Sequence, residues 1–173
     1  MDDRDEFSSF VASSAAALFR TAALLAAGDV YAAQDLMQDA YSETYRRWHR
    51  IEEPRAALAY TRRILVRTAS RRWKAIEAHS SRLAPGELRE HTIGHEEAVH
   101  AQQDLLAALR QLSPRQRAVV VLRYYEDLTE GDTAAILGCS VGAVKSHASR
   151  ALRALRELLG SDDYLTGEME GRP

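Results

Sequence analysis

Closely spaced helix-boundary residues between positions 112 and 159 limit the possible fold more than any other feature of the sequence. Ser113 followed by Pro114 predicts a helix start, because serine can cap the first free N–H groups and proline has no N–H to lose. Thr129 predicts a second start, and Asp132 three residues later completes a capping-box pattern. The stretch therefore predicts two helices, one that begins after Ser113 and one that begins after Thr129.

The second of these helices ends, and a third begins, within three residues. Gly138 suits the positive φ that ends many helices, and Ser140 can cap the next helix. A short helix, a turn that begins with glycine and a longer helix form a helix-turn-helix pattern. The helix that follows Ser113 is predicted to bury one side, formed by Val119, Val120, Leu122 and Tyr125.

The third helix of this stretch has an apolar side and an opposite side of small and cationic residues. At about 100° per residue, the apolar stripe holds Val141, Val144, Ala148, Leu152, Leu155 and Leu159. The other side carries Gly142, Ala143, Ser146, Arg150 and Arg153, with Lys145, His147 and Ser149 beside it. Such side chains can bond phosphates and base edges in a DNA groove. A solvated basic face on an ordinary bundle is the alternative, and the capped pair before it disfavours that interpretation.

Composition supports an all-α fold. Of the 173 residues 46% are hydrophobic, many of them Ala and Leu, with only four Pro and nine Gly. The single cysteine excludes an internal disulfide and a cysteine-based zinc site. No run of eighteen apolar residues is present, and the acidic N-terminus lacks the basic start of a secretory signal. We therefore expect a cytoplasmic protein without membrane insertion.

The N-terminal half reads as three helices, over residues 5–27, 30–48 and 54–78, with Asp29 as a cap and a loop over 49–55. Residues 55–74 carry seven bases and no acid, although the net charge of the chain is −2. Tyr60 lies in line with Arg63, Arg67, Arg71 and Lys74 on one side of the third helix. An aromatic ring beside several cations suits single-stranded nucleic acid, because bases stack and phosphates pair with the charges.

The chain is predicted to contain two small helical domains. Residues 79–97 are rich in Ser, Pro, Gly and charge, which is typical of a flexible acidic linker, and residues 160–173 read as a disordered acidic tail. The domains are then 5–78 and 98–159. We expect the free chain to hold them together, with its basic faces partly covered.

The two halves together resemble bacterial RNA polymerase sigma factors of the small extracytoplasmic-function (ECF) type, and actinobacterial members most. Residues 35–41, DLMQDAY, are similar to the pattern of sigma region 2, and residues 112–156 resemble region 4. The resemblance covers about residues 7–74 and 98–159. It implies a three-helix region 2 bundle and a region 4 helix-turn-helix, in a protein that has no catalysis and no cofactor of its own.

The resemblance also implies partners and contact residues. Core RNA polymerase would be bound through its beta-prime clamp helices and beta flap, with Asp35, Leu36, Gln38, Asp39 and Tyr41 on the clamp side. The −10 promoter element would be opened and read by Tyr60, Arg63, Arg67, Arg71 and Lys74, with residues 49–55 a candidate for holding a flipped base. The −35 element would be read by Lys145, Ser146, His147, Ser149, Arg150 and Arg153. Whether an anti-sigma factor is a further partner stays open.

Three positions depart from the family pattern, and two other functions are alternatives to a sigma factor. Ala32 and Gln34 stand where the pattern usually has acids, and Thr133 stands where isoleucine is usual. One alternative is a conventional helix-turn-helix regulator with an N-terminal sensing bundle, which would not need the basic third helix. The other is a metalloenzyme that uses His91, His95 and His100, but their spacing does not match a helical H-E-x-x-H site.

Overall fold

The computed structural model describes residues 3–51, 53–80 and 96–160, without the side chains of 54, 55, 73–80 and 96–100, and this part of the chain is helical without strands. The helices are α1 (Asp3–Leu25), α2 (Val30–Arg46), α3 (Pro54–Ser80), α4 (Glu96–Gln111), α5 (Pro114–Val120), α6 (Glu130–Leu137) and α7 (Val141–Leu159). A 3₁₀ turn, Trp48–Arg50, follows α2, and a π-helical turn, Val121–Tyr125, follows α5. The all-α prediction is confirmed.

The predicted helix caps are confirmed, because each depends only on neighbours in sequence. The side chains of Asp29, Ser113, Thr129 and Ser140 each accept a hydrogen bond from the backbone N–H three residues later. The complete capping box is formed by Ser113 and Gln116. At Thr129, where the box was predicted, the Asp132 carboxylate instead accepts a hydrogen bond from the threonine hydroxyl. Gly138 ends α6 at φ +62°, in the left-handed region where glycine has no steric cost.

Several predicted boundaries differ from the observed ones. Helix α1 spans Asp3–Leu25 rather than 5–27, and α2 stops at Arg46, so a 3₁₀ turn lies in part of the predicted loop. Helix α3 extends to Ser80 and α4 begins at Glu96, so the ends of the predicted 79–97 linker are helical. Residues 81–95 of that linker and 161–173 of the predicted tail lie outside the described residues.

The π-helical turn after α5 changes which side chains face inward. Val119 and Leu122 are buried as predicted, and Val121 is buried too, but Tyr125 is 46% exposed. The prediction for Tyr125 was wrong because a π turn closes i→i+5 bonds, here from Glu126 N–H to the Val121 carbonyl, and so shifts the helical phase.

The helices before and after the linker pack on one another around a shared core. Helices α1, α2 and α3 form the N-terminal bundle, and α5 and α6 contact α3. Residues from both halves join one apolar cluster, including Leu25, Leu36, Leu65 and Val66 from the first and Val119, Leu122, Leu137 and Val144 from the second. A smaller cluster joins Ala27 to Leu109, Leu112 and Leu155. The two halves of the chain therefore pack against each other, as expected for the free form, and we call this arrangement closed.

Helix α1 is, within the described ranges, the one helix whose length and composition would allow it to cross a membrane. It contains no unbroken apolar run of that length, because four serines, Arg20 and Thr21 interrupt a segment whose average hydropathy is high. Phe10, Leu18, Ala22 and Leu25 of α1 are buried in the protein. A buried core helix passes the same test, so this property supports membrane insertion only weakly.

Candidate nucleic-acid interface

Helix α7 is oriented by its apolar side, which packs on α5 and α6. Val144, Ala151 and Leu155 are buried, and Ala148, Leu152 and Leu159 are half-buried, as the helical wheel predicts. Val141 was predicted to lie in this stripe but is 41% exposed. It lies in the first turn, one turn before the first buried residue, where the neighbouring helices do not cover it.

The other side of α7 is exposed to solvent. Lys145, Ser146, Ser149, Arg150 and Arg153 are all exposed. Lys145 Nζ lies 3.5 Å from Glu130 Oε2, and Arg150 Nε donates to the Ser146 carbonyl at 3.2 Å. These contacts are weak and exposed, so both cations remain available to phosphates or base edges.

His147 differs from its neighbours on α7, because it is half-buried. Its Nδ1 atom is buried and has no hydrogen-bond partner among the described residues. Burial, with smaller contributions from the charges of Arg150 and Arg115, lowers the pKa of His147 below its usual 6.5. Its imidazole is therefore harder to protonate in the folded chain than in the unfolded one.

The cationic stripe on α3 lines a groove between α3 and α2. Arg63, Arg67 and Arg71 are exposed and Tyr60 is half-buried, and they share a groove of about 690 Å³ with residues of α2. The side chain of Lys74 lies outside the described residues. The stripe thus combines a partly exposed ring with three accessible guanidinium groups.

Arg46 and Arg47 also line this groove, and the sequence prediction missed them. Arg46 ends α2 and Arg47 follows it, and each is paired with Glu43, at 2.9 Å and 3.6 Å respectively. Residues 1–54, which contain both arginines, carry ten acids and five bases, so the net negative charge of this segment gave no indication of a cationic surface. The adjacent pair of arginines before Trp48 was the available signal.

A second groove, of about 430 Å³, lies between the same stripe and the helix-turn-helix. It is lined by Arg63, Arg67 and Arg71 on one side and by the end of α6, residues 135–138, on the other. The first helix of the helix-turn-helix therefore lies directly beside the cationic stripe.

The face of α2 that was predicted to bind polymerase is partly exposed and partly internal. Asp35, Gln38 and Asp39 are exposed. Leu36 is only 3% exposed and belongs to the shared core, so it supports the face from beneath and is not accessible to a partner in this structure. Tyr41 is half-buried, with its hydroxyl 2.9 Å from Ser14 Oγ, and burial raises its pKa.

Arg72 contacts this α2 face and was missing from the prediction. Its Nη2 lies 2.6 Å from Asp39 Oδ2, and its Nη1 lies 3.5 Å from Asp35 Oδ2. One α3 guanidinium therefore already pairs with two of the exposed carboxylates. All these side chains are partly exposed, so solvent screens the pairs.

Comparisons with known proteins agree with this geometry. The family model described as sigma-70, region 4 matches residues 102–155, which include α6 and most of α7. Over 159 residues the chain is 41% identical to the RNA polymerase sigma-E factor of Streptomyces coelicolor, covering 91% of this chain and 88% of the relative. The chain belongs to the ECF RNA polymerase sigma factors. This sigma factor acts in transcription initiation, with core RNA polymerase and promoter DNA as its partners.

Further relatives of this sigma factor include a curated sequence and a solved structure. It is 33% identical over 132 residues to the ECF RNA polymerase sigma factor SigM of Mycobacterium tuberculosis, covering 74% of this chain and 64% of that one. The structure of the sigma factor RpoE in complex with the anti-sigma factor NepR, from Bartonella quintana, superposes with a TM-score of 0.71 at 26% identity. That match covers 91% of this chain and 98% of the solved chain.

The histidines of the metalloenzyme alternative are not among the side chains that the structure of this sigma factor describes. Within residues 3–51, 53–80 and 96–160, no three His, Cys, Asp or Glu side chains are grouped as metal ligands would be. His91 and His95 lie outside the described residues, and so does the side chain of His100.

Proposed function

We propose that this sigma factor divides initiation between three surfaces and contributes no catalysis of its own. The α2 face binds the beta-prime clamp helices, the α3 stripe opens and reads the −10 element, and α7 reads the −35 element. The first two belong to a domain over residues 5–78 and the third to a domain over 98–159, with 79–97 as linker and 160–173 as tail. The observation that carries the proposal is the presence of two exposed cationic faces on separate helices, α3 and α7.

The α2 face suits a basic partner helix. Asp35, Gln38 and Asp39 offer exposed carboxylate and amide oxygens on one side of α2. A cationic clamp helix would compete with Arg72 for both carboxylates, because the existing ion pairs are solvent-exposed and contribute little. We therefore expect core binding to weaken as salt is raised.

The α3 groove suits an unpaired DNA strand. Arg63, Arg67 and Arg71 would bind phosphates, Tyr60 would stack on a base, and Arg46 and Arg47 would extend the cationic wall. Lys74 continues the stripe in sequence. The turn over residues 49–55 stays the candidate for holding an extruded base.

The exposed side of α7 suits the major groove of duplex DNA. Arg150 and Arg153 can read base edges, while Lys145, Ser146 and Ser149 can bond phosphates. His147 lies half-buried at the margin of this surface, with a lowered pKa. The Gly138 turn and the Ser140 cap fix the angle at which α7 leaves α6.

Two further partners fit the structure. A groove between α4 and the end of α7 exposes Leu105 and Leu158, which suits an apolar helix such as that expected of the beta flap. An anti-sigma factor is the second, because the superposed RpoE structure holds one. Both partners would meet this sigma factor in the cytoplasm.

Run-off transcription with purified core polymerase tests the division of labour. Arg150→Ala should lower initiation from −35-dependent promoters with little loss of core binding, and Asp35→Ala with Asp39→Ala should do the reverse. Arg4→Ala and the Asp3→Ala, Asp5→Ala pair are matched controls, because they remove the same charges from an exposed end of α1. Equal loss of the same activity in both folded variants would contradict the proposal.

A further inference from the structure

A nearly buried carboxylate joins the two halves of the chain. Glu126, at the end of the π-helical turn, has a side chain that is 7% exposed. It accepts a hydrogen bond from the Thr21 hydroxyl of α1. Its Oε2 lies 2.8 Å from Arg62 Nε of α3, close enough for an ion pair, although that N–H is not aligned for a hydrogen bond.

The local backbone around Glu126 is unusual. The Glu126 N–H completes the π turn by bonding the Val121 carbonyl, and Asp127 follows with φ +50°. π turns and left-handed non-glycine residues are uncommon, and both occur more often at functional sites than elsewhere. This backbone points a charged side chain of the helix-turn-helix domain into the crevice between α1 and α3.

Two arginines of the second half of the chain bond the C-terminal end of α1, and so form a second contact between the two halves. Arg110 Nε donates to the Ala27 carbonyl at 2.9 Å, and Arg117 Nη1 donates to the Leu25 carbonyl at 3.1 Å. Guanidinium groups at the C-terminus of α1 satisfy carbonyls that the helix leaves free and complement its dipole. Burial, together with the charge of Arg110, lowers the pKa of Arg117 to about 10, so it stays charged at neutral pH.

The closed arrangement is incompatible with simultaneous occupation of both promoter elements. By their names the elements are about 25 base pairs apart, or roughly 85 Å at 3.4 Å per pair. A compact chain of this length has a radius of gyration of about 16 Å. In the closed form, moreover, the end of α6 lies against Arg63, Arg67 and Arg71.

We propose that Glu126 holds the free sigma factor closed through Thr21 and Arg62, and that this contact must break before the α3 stripe can bind single-stranded DNA fully. The inference rests on the proposed function of that stripe. Opening moves α6 away from the arginines and lets α7 reach a distant −35 element. Polymerase and DNA then supply the contacts that replace the interface.

The test compares two full-length variants that each remove one negative charge. Glu126→Gln removes the ion pair with Arg62, whereas Asp127→Asn changes the next residue, which is exposed and tolerates φ +50° as asparagine. The probe is a fluorescein-labelled oligo-dT strand without polymerase, because stacking and phosphate contacts do not require a known sequence. Small-angle scattering reports the radius of gyration.

Glu126→Gln should bind the strand at least fivefold more tightly than the parent and show a larger radius of gyration, while Asp127→Asn matches the parent in both. Identical behaviour of the two variants would overturn the inference. If Glu126→Gln fails to fold by circular dichroism, Thr21→Val removes the other contact of Glu126 without changing the charge of the chain. An unchanged radius with no gain in affinity for Thr21→Val would equally overturn it. Core pull-down and run-off initiation test the proposed function separately.

Discussion

Thr133 on α6 should be replaceable by valine with a gain in stability. It is fully buried, and its hydroxyl has no hydrogen-bond partner among the described residues. An unpaired buried hydroxyl costs about 1–3 kcal/mol. Valine has nearly the same shape and a similar helix propensity, so Thr133→Val removes that cost without creating a cavity. We expect the free energy of unfolding to rise by about 1 kcal/mol and Tm by about 2–4 °C.

Urea unfolding followed by circular dichroism measures this change, with an unchanged slope against denaturant as the sign that the unfolded state is unaffected. Thr44→Val is the matched control. Thr44 is also fully buried in a helix, but its hydroxyl bonds the Ala40 carbonyl and lies 2.9 Å from Thr61 Oγ1. Thr44→Val should therefore lower the free energy of unfolding by about 1 kcal/mol or more. Equal effects of the two substitutions would refute the reasoning, because the hydroxyl's partners would then not decide the outcome.

Three further predictions follow from single side chains. The lowered pKa of His147 means that protonation disfavours the folded state, so the contribution of His147 to the free energy of unfolding should be complete above about pH 6.5 and fall as the pH drops below it. Phosphates favour the protonated form, so the affinity for −35 duplex, measured by fluorescence anisotropy, should rise from pH 7.5 to 6. His147→Gln should abolish that rise. Arg72→Gln frees the carboxylates of Asp35 and Asp39, so core polymerase should bind more tightly in a salt-titrated pull-down, and weaker binding would show that Arg72 itself contacts polymerase. Gly138→Ala should cost about 1 kcal/mol in urea unfolding, because the φ of +62° disfavours a side chain although the space is open.

Local signals in the sequence were enough to predict the secondary structure of the helix-turn-helix. The caps at Ser113, Thr129 and Ser140 and the glycine at 138 act through neighbours within four residues, so no tertiary information was needed. The apolar stripe of α7 was likewise readable, apart from Val141 at its open end. The exposed residues of the proposed DNA surfaces followed from the same helical periodicity.

What the sequence could not provide depends on contacts between residues far apart in the chain. Leu36 was placed on a partner surface because the DLMQDAY segment resembles the family pattern, although its helical spacing with Ala40 indicates an inward position, and the structure places it in the shared core. Arg72 differs little in sequence from Arg71, and only the packing of α3 on α2 brings it to Asp35 and Asp39. The π turn that exposes Tyr125 has no composition signal of its own.

One departure from the family pattern, Ala32, lies where a charged side chain would affect the closed form. Ala32, where the pattern usually has an acid, lines a cavity with Arg110 and Arg117. A carboxylate there would add ion pairs to the same arginines that hold the end of α1, and so would favour the closed state. Alanine adds no charge to the bonds that these arginines make to the backbone carbonyls of Leu25 and Ala27. If the α2 face binds polymerase as proposed, alanine at position 32 therefore makes that face less acidic and also adds no ion pair that would favour the closed state.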